Sequence, residues 1–410
     1  MGSNKVLNPE LQGREQEMIV QRIQETLRRE GLNGMLLLRC DNIFYATGFL
    51  GCFSYQSAPN VGDTVALVPA AGQARLVVPD LEWDNAATIT RDVETEAYTT
   101  GAFIDDGTPW SGEDKTPYLR PYGAIEQMCR HIGKGGRIAV DTKCLGELSG
   151  RALREALVDL NCEIVPAEPL LTELRKIKTP WEAQTLKRAA QMTEQAWKLV
   201  TPMIVPGLPA YEISRRFKIV SAELDRYGCI SQDQSLFAVG KRIGLGTIPR
   251  GMSVEDGDLI KFDAGFRYCG YTADIARTFA VGALEKRAAE LYQVLYEANR
   301  LGAVMFGPGA RFCDIFDSVG EKVESSGVLK RYPRSNVGHS VGASPQIGEW
   351  PNFSPECREI LQPGMVVTLE TPYSGMEGGL VQGGYNIEDC YYITENGKEQ
   401  WTFAPESMKW

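Results

Sequence analysis

Five side chains in the second half of the chain are candidate ligands of divalent cations. They are Asp263, Asp274, His339, Glu370 and Glu388. Asp263 and Asp274 fall in two apolar runs joined by a short glycine-containing connection, which predicts a β-hairpin that brings both carboxylates together. Adjacent buried carboxylates repel each other, so such a pair needs a shared proton or a cation. The alternative is a solvated turn that carries two ordinary acids.

The other three candidates lie in separate segments of the same half. His339 stands in the segment VGHSVG, where the flanking glycines let the backbone approach a ligand closely. A lone histidine can equally be a structural, hydrogen-bonded residue. Glu370 ends a predicted strand over residues 365–370, and Glu388 lies in another over residues 386–394. A carboxylate at the end of a buried strand costs free energy unless it is paired or bound to a metal.

The composition predicts a soluble globular protein with two domains. The chain has 410 residues, of which 43% are hydrophobic and 23% are charged, and this length exceeds one ordinary core. The net charge of −10 disfavours nucleic acid as a partner, because phosphate binding needs a dense basic surface. No apolar run approaches roughly 18 residues and the N-terminus lacks a signal-peptide core, so we expect no membrane association.

The cysteines and histidines restrict the compartment and the chemistry. The ten cysteines are scattered without CxxC spacing, which favours a reducing, cytoplasmic location over a disulfide framework. The two histidines are His131 and His339. His131 precedes a glycine at a predicted helix end, and we expect no catalytic role for it.

The elements that must position the candidates follow from hydrophobic periodicity. Helix 14–30 and short apolar strands at 35–38, 64–68, 74–78 and 137–140 predict an α/β first domain over residues 1–170. A second domain over residues 171–410 begins near a strong helix start, with Thr179 as N-cap, Pro180 at the first helical position and Glu182 at N3. Further helices are predicted at 210–227, 285–306 and 313–326, with strands at 259–263 and 271–279.

The order and spacing of these motifs resemble one known family. The eleven-residue step from Asp263 to Asp274, the following histidine and the two glutamates are similar to the ligand set of the M24 metallopeptidases, which include creatinase, prolidase, aminopeptidase P and methionine aminopeptidase. The segments that carry the resemblance are FDAGFRYCGYTADIARTF, VGHSVG, LQPGMVVTLETPY and YNIEDCYYIT. LRKIKTPWEAQTLKRAA and GLNGMLLLRCDNIFYATGF extend it over roughly residues 14 to 400. It implies a creatinase-like N-terminal α/β domain followed by a pita-bread α+β catalytic domain.

The resemblance also implies a cofactor and a role for each ligand. Two divalent ions per chain are expected, and four carboxylates with one imidazole suit Mn, Fe, Co or Zn. Asp263 and Glu370 would each bind one ion, Asp274 and Glu388 would bind both, and His339 would bind the second. Glu370 would also accept a proton from a water that bridges the two ions.

The sequence departs from the peptidase pattern at the substrate site. Two further histidines are usual there, and neither position has one in this chain. The first falls near Lys241, Arg242 and Arg250, which are either a carboxylate-binding cluster or a solvated loop. The second position falls on Gln346 when residues are counted forward from His339. It falls on Gly348 when the segment is aligned on Glu349, Trp350 and Pro351 instead. An arginine common before the last metal acid is replaced by Asn386.

Several residues are therefore candidates for new roles at the site. The predicted catalytic residues, besides Glu370, are Glu349 and Gln346. The predicted substrate-binding residues are Arg242, Arg250, Trp350, Tyr373 and Tyr385, although packing is the commoner role of such aromatic residues.

Three functions remain open at this point. The first is a metal-dependent hydrolase of a C–N bond in a small amide, dipeptide or amidine, similar to Xaa-Pro dipeptidases and creatinase. The second is a lyase that eliminates on the same fold, as in dimethylsulfoniopropionate lyase. The third is a non-catalytic peptide-binding module.

The resemblance implies a homodimer in which Phe49–Tyr55 and the loop from Phe103 to Pro121, with Trp110, cover the partner's site.

Overall fold

A computed structural model describes residues 9–51, 62–100, 123–143, 145–158, 160–243, 248–344, 348–376 and 381–409. The chain divides into two compact units, Met1–Arg175 and Lys176–Trp410. The domain boundary predicted between residues 170 and 171 stays a prediction. Among the described residues, no helix combines the length and the apolar character needed to cross a membrane.

The described part of the first unit is a six-stranded mixed sheet with helices on both faces. Its elements are α1 (Pro9–Arg29), β1 (Gly34–Leu37), α2 (Cys40–Thr47), β2 (Val65–Pro69), β3 (Ala74–Pro79), α3 (Trp83–Ile89), β4 (Val93–Tyr98), α4 (Gly123–Cys129), β5 (Arg137–Val140), α5 (Glu147–Val158), β6 (Glu163–Pro166) and α6 (Glu168–Lys176). The strand order is β4-β3-β2-β1-β5-β6, in which β1–β5, β5–β6 and β3–β4 are parallel.

Strand β1 explains why the first unit needs two helical layers. All four of its residues are buried. Met35 and Leu37 pack in one core with Ile23 of α1, whereas Leu36 packs in a second core with Ile125 of α4. An uninterrupted apolar strand is typical of a sheet that is covered on both faces. The predicted α/β character of this half is confirmed.

The second unit is built on a sheet with nine strands among its described residues. Its elements are α7 (Pro180–Val200), α8 (Tyr211–Leu224), β7 (Ile230–Val239), β8 (Leu259–Tyr268), β9 (Tyr271–Thr272), β10 (Ile275–Ala280), α9 (Lys286–Val304), α10 (Phe312–Ser325), β11 (His339–Ser340), β12 (Glu349–Asn352), β13 (Val366–Glu370), β14 (Tyr373–Gly375), β15 (Gly383–Tyr385), β16 (Glu388–Thr394) and β17 (Gly397–Gln400). The main strand order is β12-β11-β13-β16-β10-β8-β7, and β14–β15 is a separate pair.

Helix α7 begins where the sequence predicts. The Thr179 hydroxyl accepts a hydrogen bond from the Glu182 backbone N–H at 3.2 Å, and the Glu182 carboxylate accepts one from the Thr179 N–H at 2.8 Å. This reciprocal capping box satisfies two N–H groups that would otherwise lack a partner. At the other end of the helix, Trp197 is fully buried and stacks on Phe217 of α8.

The predicted strands differ from the structure at one informative place. The apolar run over residues 271–279 predicts one strand, but it divides into β9 and β10. Asp274 lies in the break between them, next to Ile275 at the start of β10. Asp274 is therefore outside the regular ladder that the flanking residues form with β8.

Candidate metal centre

Strand register brings three of the four candidate acids onto one face of the second sheet. Glu370 on β13 pairs with Glu388 on β16, Glu388 pairs with Ala276 on β10, and Ala276 pairs with Asp263 on β8. Residues directly opposite one another across an antiparallel pair project from the same face. The three carboxylates therefore form one row across four strands. Asp274 stands two residues before Ala276, in the break beside this row.

His339 reaches the row through strand β11 and a glycine. Ser340 pairs with Val367 of β13, which places β11 beside the strand that ends at Glu370. Gly338 has a φ of +134°, and a Cβ there would lie 2.2 Å from the Thr368 carbonyl oxygen. Glycine is therefore required for β11 to approach β13 this closely. The Nε2 atom of His339 lies 3.4 Å from Oδ2 of Asp274.

Three of the five side chains converge on a common point. Ligand atoms of Asp274, His339 and Glu388 all lie within 4.8 Å of one another. Asp274 and Glu388 are 2% and 1% exposed. Within the described part of the chain, Oδ1 of Asp274 and both carboxylate oxygens of Glu388 have no hydrogen-bond partner. Buried carboxylate oxygens without donors are costly, and a divalent cation would satisfy them. The donor set therefore fits a metal ion.

The charges of the cluster perturb its ionisation in the direction expected for a cation site. Burial, followed by the charge of Asp263, raises the pKa of Asp274 to about 7, and the bond to His339 opposes this rise. Burial also raises the pKa of Glu388 well above its usual range, and the charges of Asp274 and Glu370 add to the effect. Burial opposes the charge on His339, but the bond to Asp274 outweighs burial and raises the pKa of His339 to about 9.

The remaining two acids are held by cations and amides of the protein itself. Asp263 Oδ2 lies 3.4 Å from Nζ of Lys261. Glu370 Oε2 accepts a hydrogen bond of 2.9 Å from Nδ2 of Asn386, and its Oε1 lies 3.5 Å from Nη2 of Arg334. Sequence reasoning overlooked both cations. Lys261 was detectable, because strand alternation puts it on the same face as Asp263.

The comparison with known families now decides the classification. The model of metallopeptidase family M24 matches residues 184–395. The chain belongs to metallopeptidase family M24. The model of the creatinase/prolidase N-terminal domain matches residues 19–177. The expected fold class, a creatinase-like N-terminal domain followed by a pita-bread M24 domain, is thereby confirmed.

Relatives align along nearly the whole M24 chain. The uncharacterized peptidase YqhT of Bacillus subtilis is 32% identical over 401 residues, which cover 95% of this chain and 99% of that protein. The Xaa-Pro dipeptidase of Pyrococcus horikoshii is 23% identical over 393 residues, covering 93% and 96%. Among solved structures, the Xaa-Pro dipeptidase of Bacillus anthracis superposes with a TM-score of 0.75 at 23% identity, over 95% of this chain and 98% of that chain.

The carboxylate of the predicted catalytic residue Glu349 contacts Ser344 and Lys178 in this M24 protein. Its Oε1 accepts a hydrogen bond of 2.8 Å from the Ser344 N–H, and its Oε2 lies 4.0 Å from Nζ of the buried Lys178. Gly348 brings the same segment against the imidazole, because a Cβ there would lie 3.1 Å from Cγ of His339. Gln346, the alternative at the second histidine position, lies outside the described residues.

The predicted substrate-binding residues fall into two environments. Arg242, Arg250 and Trp350 are exposed. Tyr385 is fully buried in the core of the second unit, and the Tyr373 ring meets it edge-on with centroids 5.7 Å apart. The packing interpretation suits these two tyrosines. A substrate role for all five residues stays a prediction.

The remaining sequence predictions concern the first unit. Nε2 of His131 lies 2.7 Å from a carboxylate oxygen of Glu96, within that unit. The loop from Phe103 to Pro121, with Trp110, lies outside the described residues, as does most of the segment Phe49–Tyr55. Phe49 itself is buried in the core of the first unit. The predicted covering of a partner's site is therefore untested.

Proposed function

We propose that this protein hydrolyses the C–N bond of a short peptide, with Xaa-Pro dipeptides as the first substrates to test. One observation carries the proposal: buried oxygens of Asp274 and Glu388 converge with His339 and have no donor of their own among the described residues. Membership of the metallopeptidase family and the Xaa-Pro dipeptidase among the relatives support the choice of substrate.

The side chains of the site have separable tasks in such a reaction. Asp263, Asp274, His339, Glu370 and Glu388 would hold the metal. Divalent ions held there would supply Lewis-acid activation of water and of the scissile carbonyl. Glu370 would take the proton of the attacking water, and Asn386 would orient it through its bond to Oε2.

The second proton transfer requires a group other than histidine. With only His131 and His339 in the sequence, neither usual histidine of the substrate site is present. Glu349 follows Gly348, where a Cβ would lie 3.1 Å from Cγ of His339, and we propose that the Glu349 carboxyl group donates a proton to the leaving amine. Its replacement by glutamine should lower kcat by about 10²–10⁴-fold.

Finer features of the proposal concern the assembly and the cofactor. We propose two ions per chain, chosen from Mn, Fe, Co or Zn, and a homodimer in the cytoplasm. The eight described cysteines are all free, as expected in a reducing compartment. We also propose that the domains divide between residues 170 and 171.

The proposal is tested by turnover of a substrate panel. The full chain, loaded with Mn²⁺, is incubated with Xaa-Pro dipeptides, dipeptides without proline, creatine-like amidines and sulfonium propionates, and products are identified by mass. Gain of one water on cleavage identifies hydrolysis. Asp274→Ala should lower the rate by at least about 10²-fold. Asp314→Ala, which removes a half-exposed carboxylate on α10, should leave the rate unchanged.

Three outcomes would overturn the proposal. Cleavage of a sulfonium propionate without uptake of water would assign elimination instead. Equal rates for wild type and Asp274→Ala would remove the metal centre from the reaction. The absence of both turnover and Mn²⁺ binding would favour a non-catalytic binding module.

A further inference from the structure

Two cysteines lie opposite each other at one end of the β7–β8 strand pair. Cys229 comes directly before β7, and Cys269 comes directly after β8. Ile230 pairs with Tyr268 in the antiparallel ladder, so the next position outward places Cys229 opposite Cys269. The Cys269 N–H donates a hydrogen bond of 2.9 Å to the Cys229 carbonyl oxygen. Hydrogen-bonded residues of antiparallel strands have Cα atoms about 5.5 Å apart, and a disulfide spans roughly 4.4–6.8 Å.

The two thiol groups also interact with each other. Both cysteines are free and half-buried. Burial raises the pKa of Cys229, and side-chain hydrogen bonds with Cys269 and Tyr268 oppose the rise. Burial, followed by the charge of Cys229, raises the pKa of Cys269, and the hydrogen bond with Cys229 adds to this rise. The bond between the thiols therefore favours the thiolate at Cys229 and the protonated thiol at Cys269.

Cys269 has a backbone conformation that is unusual for cysteine. Tyr268 and Tyr271 pair, so Cys269 and Gly270 are the two central residues of the β8–β9 hairpin. Their φ angles are +46° and +83°. Two positive φ angles are typical of a type I′ turn, in which glycine, asparagine and aspartate are the preferred residues. Strained conformations of residues other than glycine concentrate at functional positions, which directs attention to this thiol.

We propose that Cys229 and Cys269 form a reversible disulfide when hydrogen peroxide oxidises the folded protein. The Cys229 thiolate attacks one oxygen of the peroxide, so the O–O bond breaks and Cys229 becomes a sulfenic acid. The hydroxide that leaves takes up the proton that the Cys229 thiol had lost. The Cys269 sulfur then attacks the Cys229 sulfur, the S–O bond breaks, and the hydroxyl group leaves with the Cys269 proton as water. Two thiols and one hydrogen peroxide give one disulfide and two waters.

A metal ion is a poorer explanation of this thiol pair than a disulfide. Among the described residues, no third histidine, cysteine or acidic side chain forms a metal-binding group with the two thiols. The carboxylate of Asp225, which lies nearby, accepts hydrogen bonds from the backbone N–H groups of Cys229 and Ile230. The two thiols alone are sufficient for a disulfide.

The disulfide has consequences that can be measured. It closes a loop over residues 229–269, which restricts the unfolded chain and should raise the melting temperature by at least about 3 °C. Because the pKa of each thiol is raised, oxidation at neutral pH should be slower than that of an unperturbed cysteine. Neither cysteine is a candidate metal ligand, so the inference does not depend on the proposed hydrolysis.

The inference is tested by peptide mapping of the full chain after incubation with hydrogen peroxide, alkylation of the remaining thiols and digestion with trypsin. Trypsin cleavage leaves the two cysteines on separate peptides, 227–241 and 268–277, neither of which contains another cysteine. The two peptides should be recovered as a linked pair, two hydrogens lighter than their sum. Dithiothreitol should separate them again.

Two variants separate this pair from general oxidation of the protein. Cys229→Ser should form no linked pair and should lose the rise in melting temperature. Cys162→Ser removes another half-buried free thiol, in the first unit, and should behave as wild type. Recovery of peptides 227–241 and 268–277 without linkage from oxidised wild type overturns the inference, whether or not the variants fold. Equal linkage in native and urea-unfolded wild type also overturns it, because the fold would then not direct the pairing.

Discussion

At the scale of single residues, adjacent carboxylates of β16 face opposite environments. Among the described residues, neither carboxylate oxygen of Glu388 has a hydrogen-bond partner, and the charges of Asp274 and Glu370 lie nearby. Asp389 on the other face is equally buried, but its carboxylate accepts hydrogen bonds from Arg277, Arg300 and the Ala404 N–H. Because the two side chains are equally buried, their hydrogen-bond and ion-pair partners decide what each carboxylate contributes to the stability of the fold.

This contrast predicts opposite effects for two conservative substitutions. Glu388→Gln should leave the metal-free protein as stable as wild type or more so, because it removes a repelled charge. Asp389→Asn should destabilise the protein by about 3 kcal/mol, because it removes the buried anion that Arg277 and Arg300 share. Chemical unfolding of both variants in chelator measures the difference. Equal destabilisation by the two substitutions would contradict this account of Glu388.

The Asp274–His339 pair predicts a pH dependence of the metal-free protein. The pKa of Asp274 rises in the fold to about 7, so the stability it contributes falls as pH rises from about 4 to 7. The pKa of His339 rises to about 9, so its contribution is complete below about 6.5 and is lost as pH rises to 9. Both shifts lower the melting temperature between pH 5 and pH 9. The decline should be smaller in Asp274→Asn, and parallel curves for the two proteins would contradict the prediction.

The candidate ligands could be predicted from the sequence, but the side chains that pair with them could be predicted only in part. Acids at the ends of apolar runs are unusual enough to be recognised one at a time. Arg334 lies 36 residues before Glu370, outside any predicted strand, and no local pattern connects the two. Contacts of this kind depend on how loops fold back over the sheet.

At the scale of elements, His339 depends on the close approach of β11 and β13. Gly338 makes this approach possible, because its φ is positive and a Cβ there would lie 2.2 Å from the Thr368 carbonyl oxygen. Gly338→Ala should therefore destabilise the second unit by more than about 2 kcal/mol and weaken Mn²⁺ binding. Thermal unfolding and metal titration measure the two effects.

A second glycine gives the matched control for that substitution. Gly320 lies within α10, and nothing stands within 4 Å of a Cβ placed there. Gly320→Ala should stabilise the protein by up to about 1 kcal/mol, because alanine loses less backbone conformational entropy than glycine when the helix forms. If Gly338→Ala behaved in the same way, the glycine would not be required for the position of His339.

Most elements were predictable because their periodicity is local, and the exception lies at the site. Helix α7 is predictable from its N-cap residues and from apolar residues at helical spacing. Strand β13 is predictable from its apolar run. The division of residues 271–279 into two strands was missed, since the apolar pattern continues through the break at Asp274. Strands β9 and β10 both pair with β8, and β10 also pairs with β16, which lies more than 100 residues later in the chain.

At the scale of the whole molecule, the candidate centre belongs entirely to the second unit. The row from Glu370 through Glu388 to Asp263 unites strands that are more than 100 residues apart. The family resemblance predicted that these residues meet. The hydrophobic pattern alone does not predict the register in which β8, β10, β13 and β16 pair. The register of strands so far apart in sequence depends on how the core packs behind the sheet. The sequence predicts which residues are buried in that core but not how they pack against one another.

Metal should therefore stabilise the two units unequally. Saturation with Mn²⁺ at 1,000 times its dissociation constant adds about 4 kcal/mol to a fold that binds only when native. Hydrogen exchange with and without chelator should show this gain in β8, β10, β13 and β16, because those strands carry or flank the carboxylates that the ion holds together. Strands β1 to β6 of the first unit have no part in the cluster, so their exchange should stay unchanged. An equal gain in both units would mean that metal acts elsewhere in the chain, and no gain in either would mean that the converging side chains do not bind it.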